Sequence, residues 1–303
     1  MLKTSNSVKT NPGPLCAPAH ANQMNVAPLR NGEENEVLEF LSQRPIHTVA
    51  MASFIRDNGL ESNLNRGTFY GCRDINGHLE GVALVGHATL METVSDRALN
   101  ALAQTARECP YTHMIMGEKD RIAEFWQSYA DGLAPRLACR EWLFELKFVP
   151  TTQVEANLRL ATEDELELVM PIQAQLAFDE SGVNPMEADP VGFRKRCLRR
   201  IRQQRTWVLV ENGTLIFKAD VISRTDNVTY LEGIWLRDDR RNDGVGVSCM
   251  AALSRVLLRE AHSICLLANE LNTRAINFYK KCGFLFRATY ETIFLSQKGL
   301  LTQ

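Results

Sequence analysis

The sequence predicts an α/β protein with a mixed sheet, organised as two similar halves. Its 303 residues correspond to two domains at about 150 residues each, and each is large enough to bury a core. A strand, Asn-Gly, strand pattern occurs around Asn76-Gly77 and again around Asn212-Gly213, 136 positions later, and Asn-Gly is a strong short hairpin signal. Through both halves, β-rich runs alternate with stretches of helical periodicity. The expected division is a frayed, Ser-, Thr- and Asn-rich tail over 1–24, a first domain over 25–150 and a second over 151–303.

The elements follow in order. From Arg30 a helical pattern carries Val37, Leu38 and Leu41 and stops before Pro45, and an apolar stretch from Val49 to Ile55 continues the N-terminal helices. Thr68 to Ile75 and Leu79 to His87 form the first hairpin, and Ser95 to Glu108 reads as a helix. A short apolar run, Thr112 to Met116, precedes a helix from Asp120 to Tyr129; Trp142 to Phe148 closes the half as a strand, and Val149 to Asn157 is the expected linker. The second half opens with Thr162 as N-cap, Glu165 three residues on as its capping-box partner, and an apolar face at Leu166, Val169, Ile172 and Leu176. Trp207–Glu211 and Thr214–Ser223 form the second hairpin, followed by a strand Val228–Leu236, a helix to Ala261, a strand Ser263–Ala268, a helix Thr273–Cys282 and a strand Thr289–Leu295.

Composition narrows the function. With 45% hydrophobic and 23% charged residues the chain is an ordinary globular protein. Thirty-four basic side chains against thirty-six acidic ones exclude the general basic balance of a nucleic-acid-coating protein. The dense run from Arg194 to Arg205 has no interleaved aromatics, so a solvated helix face is favoured over a nucleic-acid surface. Eight cysteines without a C-x-x-C pair read as reduced thiols, which points to a cytoplasmic address. No apolar window is long enough for a membrane span, and no metal-ligand pattern is present.

The segment Ile234 to Gly246 runs from a strand into an R-x-x-G-x-G turn, Arg241-Asn242-Asp243-Gly244-Val245-Gly246, that opens a helix. Glycines let backbone amides approach a phosphate closely, and the helix start adds unpaired N–H groups and partial positive charge. After one helix and one strand comes Asn272-Thr273-Arg274-Ala275-Ile276-Asn277-Phe278-Tyr279-Lys280-Lys281-Cys282-Gly283-Phe284.

These two motifs, in this order, resemble those of the GNAT superfamily of acyl-CoA-dependent N-acetyltransferases: R/Q-x-x-G-x-G/A on a pyrophosphate loop, and an N-x-x-A-x-x-x-Y-x-x-x-G-F helix. The resemblance covers residues 158–296 and implies tandem domains, each a mostly antiparallel twisted sheet flanked by helices. It implies acetyl-CoA as cosubstrate and CoA as product. Arg241, Asn242, Asp243, Gly244, Val245 and Gly246 would surround the pyrophosphate; Ile234, Trp235 and Leu236 would run beside pantetheine and offer a backbone N–H to the thioester carbonyl. Asn272 and Tyr279 complete the expected cofactor set, and Tyr279 would protonate the leaving thiolate; the alternative for Tyr279 is a helix anchor. Many members have glycine where Asn242 stands, and Asn is among the residues best able to take left-handed angles.

An attacking amine must lose a proton. Glu232, two residues before Ile234 and on its face if the strand alternates regularly, is the candidate base, with a cross-strand polar contact as its alternative. Asp179 and Glu180 are candidates for holding a cationic substrate. The expected activity is transfer of an acetyl group to a primary amine, of a small molecule or a peptide, by direct attack in a ternary complex. The alternative is a non-catalytic acyl-CoA-binding regulatory or scaffold protein. A monomer or homodimer is expected, with nucleic acid and membrane outside the expected partners.

The first half departs from this pattern. Arg121 to Trp126 aligns with Arg274 to Tyr279, which places Trp126 where the expected acid stands, and no R-x-x-G-x-G lies between Gly86 and Glu108. A degenerate first domain, serving as scaffold or substrate wall, is the expectation.

Overall fold

The computed structural model describes residues 24–150 and 156–296. The expected tail thus lies almost wholly outside the described residues, as does the centre of the expected linker. Strand β1 spans Asn25–Pro28; helices α1 and α2 follow at Glu34–Ser42 and Pro45–Asn58. The first half continues with β2 Gly67–Arg73, β3 Leu79–Gly86, β4 Ala88–Thr93, α3 Asp96–Arg107, β5 Met114–Glu118, α4 Lys119–Tyr129 and β6 Leu137–Leu146. The second contains β7 Arg159–Leu160, α5 Leu166–Ser181, α6 Pro185–Ala188, α7 Pro190–Arg202, β8 Thr206–Glu211, β9 Thr214–Arg224, β10 Val228–Leu236, α8 Val245–Leu257, β11 Ser263–Asn269, α9 Thr273–Lys281 and β12 Leu285–Phe294.

Local chemistry accounts for most boundaries. Ser95 caps α3, its hydroxyl accepting from the Ala98 amide at 3.3 Å. Glu165 reaches back to the Thr162 amide at 2.9 Å, the carboxylate half of a capping box. The β8–β9 hairpin turns through Asn212 and Gly213, both at positive φ (49° and 72°), as a two-residue turn matched to strand twist requires. Its first-half counterpart uses a different turn: Asp74 accepts from the amides of Asn76 and His78 at 2.9 and 2.8 Å, so β2 and β3 resume pairing only at Arg73–Leu79.

Twelve strands form one sheet in the order β1-β2-β3-β4-β5-β12-β6-β11-β10-β9-β8-β7. Pairing is antiparallel throughout except for β4–β5 and β10–β11. Each half repeats the same plan of antiparallel strands, one parallel step and flanking helices. The halves exchange their closing strands. β6, encoded in the first half, pairs with β11 over Leu146–Ile264 to Glu141–Asn269, while β12, encoded in the second, pairs with β5 over Glu118–Tyr290 to Met114–Phe294.

The apolar core therefore crosses the sequence divide: Phe144 and Leu146 of β6 are buried with Leu266, Ile276, Tyr279 and Phe284, and Ile293 of β12 is buried with Ile115, Ile122 and Phe125. Among the described residues no helix is long and apolar enough to cross a membrane. Of the seven described cysteines, all free, five are buried.

The arginine run on α7 is largely neutralised in place. Arg194, Arg196 and Arg202 pair with the exposed Glu167, Asp189 and Glu163, which fits the solvated-face reading, whereas Arg200 reaches the buried Asp220 and Arg205, just past α7, pairs with Asp57.

Candidate active site

β10 and β11 pair in parallel only from Val228–Ser263 to Leu231–Leu266, and beyond that point both strands continue without pairing to each other. The divergence opens a cleft of about 680 Å³ between α5, the exposed edge of β10, the turn before α8, and α9. Ile234, Trp235, Leu236, Arg241, Asn242, Gly244, Gly246, Asn272 and Tyr279 all line it. Asp243 and Val245 line instead a neighbouring hollow on the other side of the turn, together with Gly244 and Ser248.

The turn has the backbone a phosphate cradle needs. Asn242 (φ 69°) and Gly244 (φ 89°) are both left-handed; Gly244 has no atom within 4 Å of a Cβ position, so its requirement is conformational. Asp243 accepts from the Val245 amide at 3.0 Å and braces the helix start. The next amides of the first turn of α8 have no partner within a helix, and Gly246 and Val247 of that turn line the cleft. Gly246 is glycine for a different reason: a Cβ there would sit 2.9 Å from Leu236 Cδ2 and 3.1 Å from Phe278 Cε2, so α8 packs directly against the strand and α9. Arg241 folds back, its Nε donating to the Leu236 carbonyl at 3.2 Å and its guanidinium pairing with Asp238. The Asn272 carboxamide accepts from the Ala275 amide at 3.0 Å, so that oxygen caps α9 while the residue borders the cleft.

Tyr279 is 8% exposed, its ring among Phe144, Phe278 and Phe284 at centroid distances of 6.2, 5.6 and 6.0 Å. Burial pushes its phenol upward, so it is protonated at neutral pH and able to donate.

The regular alternation expected of β10 does not hold. Glu232 pairs with Asp220 and Trp235 with Lys218, so the extra residue between them forms a bulge at Gly233, whose φ is +59°. Glu232, Asp220, Lys218 and Trp235 share the face toward α5 and α7, whereas Ile234 and Leu236 pack against the core on the opposite face. Glu232 is thus not on the Ile234 face, and it does not line the cleft. It is the first β10 residue after pairing with β11 ends; the residue is exposed, with protein crowding its carboxyl.

Burial raises the Glu232 carboxyl, against a hydrogen bond from Tyr230 that lowers it. Glu180, near the end of α5, is pushed up to about 8 by burial and by the charges of Glu232 and Glu141. Glu141 on the exchanged strand β6 is raised in the same way and accepts from Thr292 Oγ1 at 2.5 Å. Glu180 is thus raised by both neighbouring carboxylates, and Glu141 by Glu232. Asp179 borders the cleft itself and accepts from Gln175 Nε2 at 2.7 Å. Sequence reasoning missed Glu141, because strand exchange alone brings it here, and also the basic side chains of Arg274 and Lys281 along the cleft; both of the latter lie within the quoted helix motif.

The corresponding place in the first half is closed. β4 runs into α3 through Val94 and Ser95 alone, leaving no room for a phosphate turn. Arg121 occupies the gap, donating to Thr93 Oγ1 at 2.5 Å and Asp96 Oδ1 at 2.7 Å. Arg44 bridges Glu92 and Glu118 at 3.1 and 2.5 Å, and the remaining hollow is about 40 Å³. Trp126 lies against Tyr129 at 5.7 Å.

Comparison with known proteins agrees with this geometry. Residues 173–284 match the model of the Acetyltransferase (GNAT) family. Similar solved structures include a GNAT-family acetyltransferase from Colwellia psychrerythraea (TM-score 0.57, 9% identity, 90% of this chain and 100% of that one). A GCN5-related N-acetyltransferase from Sphaerobacter thermophilus has TM-score 0.55 and 12% identity over 91% of this chain and 95% of that one. A tandem GNAT protein from the clavulanic acid biosynthesis pathway has TM-score 0.52 and 13% identity over 89% and 98%. No curated protein matches the sequence.

Proposed function

Because residues 173–284 form a GNAT-family acetyltransferase domain, the domain of an acyltransferase, we propose that the protein transfers an acetyl group from acetyl-CoA to a primary amine of a small molecule or peptide, in a ternary complex. The observation that carries this reading is the cleft at the β10–β11 divergence, where both motifs meet around one space with Tyr279 in its wall. The residues fit the group: left-handed Asn242 and Gly244, the first turn of α8, and the positive side chains of Arg241, Arg274 and Lys281 suit a pyrophosphate, and the apolar stretch Ile234–Leu236 suits pantetheine. Acetyl-CoA supplies an activated thioester. In the proposed reaction the amine nitrogen bonds to the acyl carbon as the carbon–sulfur bond breaks. A β10 backbone N–H stabilises the charge developing on the carbonyl oxygen, and Tyr279 protonates the departing sulfur.

Glu232 is the proposed base, directly or through water; a carboxyl raised above its ordinary range is suited to holding that proton near neutral pH. Asp179 and Glu180 are proposed to hold the cationic acceptor. Residues 25–150 then act as a scaffold that contributes β6, with Glu141 and Phe144, and residues 151–303 do the chemistry, in a cytoplasmic monomer or homodimer. Release of free thiol from acetyl-CoA in the presence of a panel of amines tests this reading. Tight binding of acetyl-CoA with no thiol release for any amine would favour the non-catalytic binding protein instead.

A further inference from the structure

Behind the β10 bulge lies a fully buried ion pair that the reaction as described does not use. Lys218 is 0% exposed and Asp220 1%. The Lys218 ammonium donates to Asp220 Oδ2 at 2.6 Å, Gln173 Oε1 at 2.7 Å and the Gly233 carbonyl at 3.2 Å, so its three protons have three acceptors. Asp220 in turn accepts from Arg200 at 2.8 Å and from Thr206 Oγ1 at 2.8 Å. Buried ion pairs can often be replaced by apolar groups of similar volume without loss of stability, so stability alone does not account for this one.

Its position does. A Cβ on Gly233 would sit 2.8 Å from Lys218 Nζ, 3.0 Å from Gln173 Oε1 and 3.1 Å from Asp220 Oδ2. The charged cluster therefore packs directly onto the left-handed residue that creates the bulge. The bulge sets the orientation of the following peptides, Ile234 and Trp235, which border the cofactor cleft. Gln173 brings α5, the facing wall of that cleft, into the same cluster.

We propose that Lys218 is a positioning residue for acyl transfer: by holding the Gly233 carbonyl on one side and Gln173 of α5 on the other, it fixes the bulged segment of β10 in the orientation that presents its amides to the thioester. This rests on the acyltransfer reading. Asp220, with Arg200 and Thr206, holds Lys218 in turn. Lys218, Asp220 and Gln173 do not line the cleft, so the clamp acts on the chemical step rather than on binding.

The test uses the full chain with Lys218→Met/Asp220→Asn, which removes both fully buried charges together and leaves only Arg200, whose side chain keeps 26% exposure, alongside Lys218→Arg. The expected double variant melts close to wild type and keeps its affinity for CoA within about threefold, but its kcat falls at least tenfold with KM for acetyl-CoA and amine little changed, and the amides of residues 233–236 lose hydrogen-exchange protection. Lys218→Arg, which can still donate, recovers part of kcat. A folded double variant with kcat within twofold of wild type, or with exchange at 233–236 unchanged, overturns the clamp. Wild-type protein that transfers no acetyl group to any amine overturns the acyltransfer reading and the proposal with it, while the exchange data still report whether Lys218 orders the bulge.

Discussion

Replacing Tyr279 by Phe separates chemistry from packing. The ring is retained among Phe144, Phe278 and Phe284, and a single hydroxyl is lost from a side chain that is 8% exposed. Loss of one hydrogen-bonding group costs about 1 kcal/mol, which corresponds to a fall in melting temperature of about 2–4 °C for a domain of this size. If the phenol protonates the leaving sulfur, removing it costs the contribution of a general acid, about 10²-fold to 10⁴-fold in rate. The two effects differ enough to be read apart. Single-turnover release of thiol from a preformed acetyl-CoA complex, with excess amine, measures the chemical step directly. The expected result is a rate lowered at least 100-fold, CoA affinity unchanged and a melting point within about 4 °C of wild type. Full activity in Tyr279→Phe would refute the assignment of Tyr279 as the acid. A loss of CoA affinity equal to the loss of rate would refute it as well, and leave Tyr279 as an anchor for α9.

Gly246→Ala places a methyl 2.9 Å from Leu236 Cδ2; overpacking of this kind costs about 1–3 kcal/mol, and calorimetry should register both that loss and weaker CoA binding as α8 is pushed from β10. The Glu180 carboxyl, raised to about 8 from an ordinary value near 4.3 in the unfolded chain, binds more protons folded than unfolded, so its contribution erodes stability as pH rises from about 4 to about 8. Glu180→Gln should therefore melt higher than wild type at pH 8 and alike at pH 4; a difference that grows toward acid would contradict the shift. Arg121→Ala enlarges the first-half hollow but supplies no phosphate turn, so the stoichiometry of acetyl-CoA binding should stay at one per chain, and a second site would contradict the closed first half.

Much of the fold can be read from residues in sequence. The two Asn-Gly hairpins, the Ser95 cap and both motif helices are local features, decided by turn chemistry and by apolar period over a few residues. What could not be read depends on partners distant in the chain. The alternation of Leu137–Leu146 marks it as a strand but says nothing about whether it pairs with β5 or β11, so the exchange of β6 and β12, and with it the arrival of Glu141 and Phe144 at the site, was hidden. β4, Ala88–Thr93, was not foreseen: the expected strand stopped at His87, the one residue that separates β3 from β4. The bulge at Gly233 was missed because its cause, the ammonium of Lys218 under the backbone, sits fifteen residues away. The cofactor turn, by contrast, is one continuous segment whose glycines answer to φ and close packing, and it was legible as a motif.

The whole reading stands on this turn as the holder of acetyl-CoA. A carboxylate at position 244 would project into open space beside the bound pyrophosphate, where each opposing phosphate charge at about 5 Å costs from about 0.8 kcal/mol in a water-like medium to about 3 kcal/mol near a protein surface. Calorimetric titration of wild type and Gly244→Asp with acetyl-CoA therefore tests it most directly. One acetyl-CoA should bind per wild-type chain, and binding in the folded variant should be at least tenfold weaker; equal affinity in the two proteins would refute a pyrophosphate site at this turn.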